Sequence, residues 1–130
     1  MAFTTLIDTE TLARHLTDPA FGILDCRFKI EDVTWGEREY STRHIPGAAN
    51  HFFKWNVNDT GTFRSPEDLR ERLQKTLGDV PPHRVVCYCG SGVTACHNLL
   101  ALEHAGLSGA KLYPGSWSEW SSHPSRPTEP

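Results

Sequence analysis

Cys89 is the residue whose position most strongly indicates chemistry. It follows the apolar run 84–88 and heads the hexapeptide Cys-Gly-Ser-Gly-Val-Thr, after which residues 94–105 are apolar at most positions. Gly90 and Gly92 permit backbone dihedrals that let successive N–H groups converge on one point. The loop also opens a helix, whose first N–H groups and dipole favour an anion. Because such surroundings favour a thiolate, the sequence predicts that Cys89 is a nucleophile.

The other three cysteines are predicted to be small core residues. Cys87 lies within the predicted strand, Cys96 lies in the apolar helix, and Cys26 follows another apolar run. Free cysteine is among the most frequently buried residue types, so burial is the ordinary expectation for each.

Three other cysteine chemistries fit the sequence poorly. A cysteine phosphatase needs an arginine after five intervening residues to hold phosphate, and the residue at the corresponding end of the loop is the uncharged Ala95. A zinc site needs well-spaced ligand pairs, which Cys87, Cys89 and His97 do not provide. A Cys-x-x-Cys redox pair is absent. No metal and no cofactor are therefore expected.

Composition restricts the partners and the compartment. The chain has 130 residues, a formal net charge of -3 and 13 scattered Lys and Arg, which argues against nucleic acid and anionic membrane surfaces. Its first residues lack the basic start and apolar core of a signal peptide. No apolar run approaches the roughly 18 residues of a membrane helix. Four free cysteines then favour a reducing, cytoplasmic location.

The elements that must position Cys89 alternate between strands and helices, which predicts an α/β domain with a mainly parallel central sheet flanked by helices on both faces. This domain is expected to span 1–122, followed by a loose C-terminal tail over 123–130. Chemistry in such sheets lies at the carboxyl ends of the strands. Asp25-Cys26-Arg27 and Cys89 are therefore expected on one rim. Two predicted helices begin after Asp8 and Ser65, and two more cover 94–105 and 116–120. The predicted strands are 21–27, 84–88, 111–113 and a short segment after His44. Residues 28–43 are expected to contain at most a short helix.

Four segments together resemble one family. Cys89 to Thr94 matches, at every position, the Cys-Gly-Ser/Ala-Gly-Val-Thr loop of the 3-mercaptopyruvate sulfurtransferases within the rhodanese superfamily, and thus a single rhodanese-like domain is implied. The basic residues that follow the cysteine in thiosulfate-specific rhodaneses are missing here. The other matching segments are Asp25-Cys26-Arg27, His44-Ile45-Pro46-Gly47-Ala48 and Tyr113-Pro114-Gly115-Ser116-Trp117-Ser118-Glu119-Trp120.

The resemblance implies a mechanism. The Cys89 thiolate would attack the sulfur of 3-mercaptopyruvate, giving pyruvate and a Cys89 persulfide, and a thiophilic acceptor (cyanide, a dithiol or thioredoxin) would take the outer sulfur. Loop residues would bind substrate and persulfide, with hydroxyls of Ser91 and Thr94 positioning substrate or moving protons, although both could act only as turn and N-cap residues. The binding loop implied in this way consists of Gly90, Ser91, Gly92, Val93 and Thr94.

The resemblance also implies roles for residues outside the cysteine loop, and a purely structural role is the alternative for several of them. Arg27 is the expected clamp for the substrate carboxylate, since its guanidinium pairs with a carboxylate in a bidentate way, but it could pair with Asp25 instead. Arg38 is the candidate for a second family arginine. His44 is expected to be a structural turn histidine. Trp117 and Trp120 are expected to pack against the rim.

Two other functions remain open. One is a thiosulfate-using rhodanese or a persulfide carrier. The other is a sensor module without efficient turnover, in which Cys89 is persulfidated or oxidised and Cys87 or Cys96 acts as a resolving thiol. The family usually carries two rhodanese domains with the active cleft between them, and this chain carries one, which resembles the catalytic half. A homodimer would rebuild the missing wall of the cleft.

Overall fold

The computed structural model describes residues 6–27, 34–51, 53–90 and 94–130. Its strands are β1 (Gly22–Asp25), β2 (Ala48–Asn50), β3 (Val85–Tyr88) and β4 (Lys111–Leu112). They form a central four-stranded sheet in the order β2-β1-β3-β4, and every neighbouring pair of strands is parallel. The predicted mainly parallel sheet is confirmed.

Helices connect these strands, and the helix with the clearest sequence signals at both ends is α3 (Pro66–Leu77). The helices are α1 (Thr9–Arg14), α2 (Trp35–Thr42), α3 (Pro66–Leu77), α4 (Ala95–His104) and α5 (Ser116–Trp120), with short 3-10 turns at Phe53–Asn56 and Pro82–Arg84. Helix α3 begins after Ser65, whose hydroxyl accepts a hydrogen bond from the Asp68 N–H, and Pro66 occupies the first turn. It ends at Leu77, and the capping residue that follows, Gly78, has a φ of 62°, which favours glycine.

The sheet has a hydrophobic core on each face because side chains alternate along a strand. Cys87 lies in β3 and Cys89 directly follows it. Both face the core that α3 and α4 cover, to which α3 contributes Leu73. Val86 and Tyr88 face the opposite core. That second core contains Leu12 of α1 and Trp120 of α5. Helices therefore flank the sheet on both faces, as predicted.

The C-terminal segment 123–130 differs from the expected loose tail. Glu129 and His44 exchange two backbone hydrogen bonds, of 2.8 and 3.0 Å. The Glu129 carboxylate accepts a 2.7 Å hydrogen bond from the Gly47 N–H, and the Pro127 carbonyl accepts one from the indole N–H of Trp120. Its polar, proline-rich composition does not reveal this backbone pairing with a distant turn, and the domain boundary at residue 122 stays a prediction.

Within the described part of the chain, no helix combines the length and the apolar character needed to cross a bilayer.

Candidate active site

The register of the sheet brings Cys89 and Cys26 to the same edge. Leu24 pairs with Cys87 and Asp25 pairs with Tyr88 in the parallel ladder of β1 and β3. The ladder continues past both strands, since the Cys26 N–H donates a 2.7 Å hydrogen bond to the Tyr88 carbonyl. The expectation that 25–27 and Cys89 share one rim is therefore confirmed.

Cys89 lies at the carboxyl end of β3 and is only 2% exposed. Its backbone N–H donates a 3.1 Å hydrogen bond to the Ser116 hydroxyl. Its carbonyl accepts a 2.9 Å hydrogen bond from the Trp117 N–H. The nucleophile predicted from sequence is thus held at a strand end by the first turn of α5.

Gly90 continues this contact with α5. Its carbonyl accepts hydrogen bonds from the N–H of Ser118 at 3.0 Å and from the Ser118 hydroxyl at 2.7 Å. The next three predicted loop residues, Ser91, Gly92 and Val93, lie outside the described residues. Their role as an anion-binding loop stays a prediction.

Thr94 ends the loop and is tied to the neighbouring strand. It occupies the position before α4, but its hydroxyl makes no capping hydrogen bond to that helix. The hydroxyl instead donates a 2.9 Å hydrogen bond to the Cys26 carbonyl. The alternative of a side-chain N-cap is therefore wrong for Thr94, and its hydroxyl connects the loop to the segment after β1. Its substrate role stays a prediction.

Arg27 forms a buried ion pair with Asp25. The guanidinium Nη2 lies 2.8 Å from the Asp25 carboxylate, and both side chains are almost fully buried. The Arg27 Nε donates to both carboxylate oxygens, at 3.1 Å and 3.0 Å. Nη2 also donates a 2.6 Å hydrogen bond to the Arg43 carbonyl. The structural alternative for Arg27 is thus present, and binding of a substrate carboxylate by Arg27 stays a prediction.

Trp117 links this ion pair to the cysteine. The Arg27 guanidinium lies over the Trp117 ring, 4.6 Å from its centroid, a cation–π geometry. The backbone of Trp117 holds the Cys89 carbonyl, as described above. Trp120, by contrast, is fully buried and packs edge-to-face against Tyr113. Trp117 packs at the rim, as expected, whereas Trp120 belongs to the hydrophobic core on the second face of the sheet.

Arg38 lies on the exposed side of α2. Its guanidinium donates a 2.8 Å hydrogen bond to the Thr34 hydroxyl. A role of Arg38 in substrate binding stays a prediction.

His44 has the contacts of a structural histidine. Its ring Nδ1 lies 2.8 Å from the Tyr40 carbonyl, and the ring stacks on that tyrosine with centroids 4.1 Å apart. The Nε2 lies 3.4 Å from the Glu129 carboxylate. These contacts fix the turn before β2, which agrees with the expected role.

The remaining cysteines divide into two buried thiols and one exposed thiol. Cys26 and Cys87 are buried as predicted, but Cys96 is exposed on α4. The prediction for Cys96 was wrong because α4 has a solvent face that its apolar sequence does not reveal. Burial, and next the neighbouring Cys87 thiol, raise the pKa of the Cys26 thiol well above its ordinary value. A role for Cys87 or Cys96 as a resolving thiol stays a prediction.

A buried polar network behind Cys26 was missed from sequence. Asn98 donates through Nδ2 to the Cys26 Sγ at 3.0 Å and to the His51 carbonyl at 2.9 Å. Its Oδ1 accepts a 2.6 Å hydrogen bond from Asn56, whose own Oδ1 lies 2.9 Å from His51 Nε2. An asparagine inside an apolar helix was the available signal, since a buried amide requires partners.

Side chains that could ligate a metal do not converge in the described part of the chain. Among these residues, no group of three or more His, Cys, Asp or Glu side chains is arranged to hold a metal ion.

A parallel α/β sheet with a cysteine loop at the end of a central strand defines a class of domain, and the sequence comparisons identify it. The family model of the rhodanese-like domain matches residues 8–123. The chain therefore belongs to the rhodanese-like domain family.

Individual relatives carry more specific names than the domain family does. A probable 3-mercaptopyruvate sulfurtransferase of Pseudomonas aeruginosa is 45% identical over 125 residues, which cover 94% of this chain and 43% of that protein. The mouse 3-mercaptopyruvate sulfurtransferase is 39% identical over 104 residues, or 72% of this chain and 35% of that protein. The chain thus spans less than half the length of these curated relatives.

Solved structures support the fold. The 3-mercaptopyruvate sulfurtransferase of Leishmania major superposes with a TM-score of 0.75 at 18% identity, over 97% of this chain and 36% of that chain. The rhodanese-like domain of an Anabaena protein superposes with a TM-score of 0.64 at 22% identity, over 98% of this chain and 80% of that chain. At these identities the likeness shows the fold alone.

Proposed function

We propose that this domain is a rhodanese-type sulfurtransferase that moves a sulfur atom from 3-mercaptopyruvate to a thiophilic acceptor through a Cys89 persulfide. The observation that carries the proposal is the position of Cys89 at the carboxyl end of β3, with its N–H and carbonyl both held by α5. Ligand sites of open parallel sheets lie outside this end of the strands. The identity of 45% with the Pseudomonas relative supports the choice of donor.

The reaction has two half-steps. In the first, the Cys89 thiolate attacks the thiol sulfur of 3-mercaptopyruvate, and the carbon–sulfur bond breaks with its electron pair leaving on carbon. The resulting enolate takes a proton to become pyruvate, and Cys89 retains the sulfur as a persulfide. In the second, a nucleophile such as cyanide attacks the outer sulfur, forming thiocyanate and returning the Cys89 thiolate. Such a covalent intermediate produces ping-pong kinetics.

The substrate carboxylate needs a cation, and the proposal assigns it to Arg27 and Arg38. The guanidinium of Arg27 is already paired with Asp25 inside the protein, whereas Arg38 is exposed on α2. Arg38 is therefore the more accessible of the two. An Arg38→Gln variant is expected to raise KM for 3-mercaptopyruvate more than KM for thiosulfate, which has no carboxylate.

Thiosulfate is the second candidate donor. A putative thiosulfate sulfurtransferase of Mycobacterium tuberculosis is 46% identical over 84 residues, which cover 65% of this chain and 29% of that protein. The same proposal includes a thiol or cyanide as the sulfur acceptor, among them a protein dithiol such as thioredoxin. It also includes a homodimer, in which the second copy completes the cleft. Sedimentation velocity with and without donor tests the dimer.

The test compares the purified protein with Cys89→Ser. Each is mixed with 3-mercaptopyruvate or thiosulfate plus cyanide, and pyruvate and thiocyanate are measured. Cys96→Ser is the matched control, because Cys96 is the exposed cysteine of α4. Pyruvate formation that exceeds thiosulfate turnover, is lost in Cys89→Ser and persists in Cys96→Ser supports the proposal. Preference for thiosulfate supports the second candidate, and turnover of neither donor favours a sensor module.

A further inference from the structure

Three consecutive peptide groups at the active cysteine are held by three consecutive residues of α5. The N–H of Cys89 belongs to the peptide group before it and is bound by Ser116. The carbonyls of Cys89 and Gly90 belong to the next two peptide groups and are bound by the N–H groups of Trp117 and Ser118. The dihedral angles of Cys89 and Gly90 lie between these fixed planes. The direction in which the thiol leaves the backbone is set by the same contacts.

Only the first of these contacts depends on a side chain for its existence. Backbone N–H groups make the other two and persist when Trp117 or Ser118 is substituted, although the Ser118 hydroxyl adds a second hydrogen bond, of 2.7 Å, to the Gly90 carbonyl. The Ser116 hydroxyl accepts from Cys89 and donates a 2.9 Å hydrogen bond to the Tyr113 carbonyl. Its donor and acceptor functions are both engaged, and its side chain is fully buried.

Ser116 makes this contact from an unfavourable backbone conformation. Its φ of 55° makes it the non-glycine residue with positive φ among those described. Serine is disfavoured there relative to glycine because its Cβ crowds the backbone. A glycine at this position would remove that strain but also the hydroxyl. Backbone strain of this kind clusters at active sites, where the surrounding structure maintains it.

We propose that Ser116 is a positioning residue for Cys89. Its hydroxyl fixes the peptide group before the cysteine and thereby aims the thiol at the donor sulfur. The Cys89 N–H is engaged by the Ser116 hydroxyl. The catalytic consequence rests on the proposed sulfurtransferase function, whereas the effect on the thiol itself does not.

Two substitutions separate positioning from stability. Ser116→Ala removes the hydroxyl and keeps the strained backbone, whereas Ser116→Gly removes both. Ser121→Ala is the matched control, because Ser121 follows the same helix directly, is exposed, and donates through its hydroxyl to the Trp117 carbonyl. We expect Ser116→Gly to melt at a higher temperature than Ser116→Ala, since glycine accepts positive φ without crowding.

Activity is expected to depend on the presence of the Ser116 hydroxyl and not on the melting temperature of the variant. Both Ser116 variants should lower kcat on the order of tenfold with KM of the donor nearly unchanged, because small misplacements of a reacting group cost rate steeply. Both should also slow alkylation of Cys89 by iodoacetamide at fixed pH, followed for each cysteine by fragment-ion mass spectrometry. Ser121→Ala should match the wild type in both measurements.

The outcomes distinguish this inference from the proposed function. Wild-type rates of alkylation and turnover in Ser116→Gly would overturn the positioning role, even if Ser116→Ala is impaired through instability. If the wild type turns over neither donor, the proposed function fails, and alkylation alone decides on Ser116. Slower alkylation in both variants then supports positioning, and unchanged alkylation overturns it.

Discussion

Arg27 and Asp25 form a buried ion pair at the active rim, with 2.8 Å between the guanidinium Nη2 and the carboxylate. The same carboxylate accepts hydrogen bonds from the Arg27 N–H at 3.0 Å and from the Tyr88 hydroxyl at 2.7 Å. The Tyr88 hydroxyl in turn accepts a 3.2 Å hydrogen bond from the Ile45 N–H. Burial, followed by the Asp25 charge, raises the pKa of Tyr88 well above its ordinary value, which keeps this tyrosine a hydrogen-bond donor.

Removal of one partner of this pair should be strongly destabilising. Arg27→Gln leaves the Asp25 carboxylate buried without its cation, and an uncompensated buried charge costs about 3–5 kcal/mol of unfolding free energy. Lys75→Gln is the control, because the Lys75–Glu71 pair is exposed at 78% and 71% and should change stability by less than about 1 kcal/mol. Urea denaturation measures both. Equal effects of the two substitutions would show that the buried pair does not support the rim.

The Thr94 hydroxyl should stabilise the end of the cysteine loop. Thr94→Val removes the hydrogen bond to the Cys26 carbonyl and should lower the unfolding free energy by about 1 kcal/mol, the usual contribution of such a bond. Thr94→Ser keeps the hydroxyl and should retain most of that stability. If the bond also holds the loop in its active shape, kcat should fall in Thr94→Val and recover in Thr94→Ser. Equal stability and equal kcat in the two variants would contradict this role.

The features predicted well from sequence are those determined by local chemistry. Ser65, Pro66 and Gly78 mark the two ends of α3, and the structure places those ends at Pro66 and Leu77. The apolar run before Cys89 becomes β3. A cap, a proline or a buried strand depends on a few neighbouring residues, so the sequence pattern determines it.

The features missed depend on contacts between distant segments. The solvent face of α4, where Cys96 and the 58%-exposed Leu100 lie, follows from which neighbours cover the helix. The buried Asn98 has its partners on the residue after β1, on the residue after β2 and on the first 3-10 turn. The positive φ of Ser116 accompanies a hydrogen bond to Cys89, 27 residues away in the chain. None of these relationships is encoded in local spacing.

The C-terminal segment 123–130 should contribute to stability. Truncation after Ser122 removes the two backbone hydrogen bonds between His44 and Glu129 and the acceptor of the Trp120 indole N–H. At about 0.5–1.5 kcal/mol for each of these three bonds, the loss should be roughly 1.5–4.5 kcal/mol. Thermal and urea unfolding of the truncated chain measure it. Glu129→Ala retains the backbone pairing and should cost much less, so unchanged stability after truncation would show that the segment does not pack in solution.

Stability should decrease as the solution becomes mildly acidic, because His51 is buried in a neutral form. Burial, opposed by the hydrogen bond to Asn56 and reinforced by the charge of Arg72, lowers the pKa of His51. Its Nδ1 is buried without a described partner. The ring also borders a cavity of about 320 Å³ lined by charged residues of α3: Asp68, Glu71, Arg72 and Lys75.

Because the folded pKa of His51 lies below the unfolded value, the unfolded chain binds more protons between the two values. The free energy of unfolding therefore keeps its full value above about pH 6.5, the ordinary histidine pKa, and it falls as the pH decreases toward the folded pKa of His51. His97, whose pKa burial also lowers, adds to the same slope. Urea unfolding at several pH values between about 5.5 and about 7.5 measures it. His51→Gln should flatten the slope while the exposed-histidine control His83→Gln should not, and an unchanged slope in His51→Gln would assign the acid sensitivity to other groups.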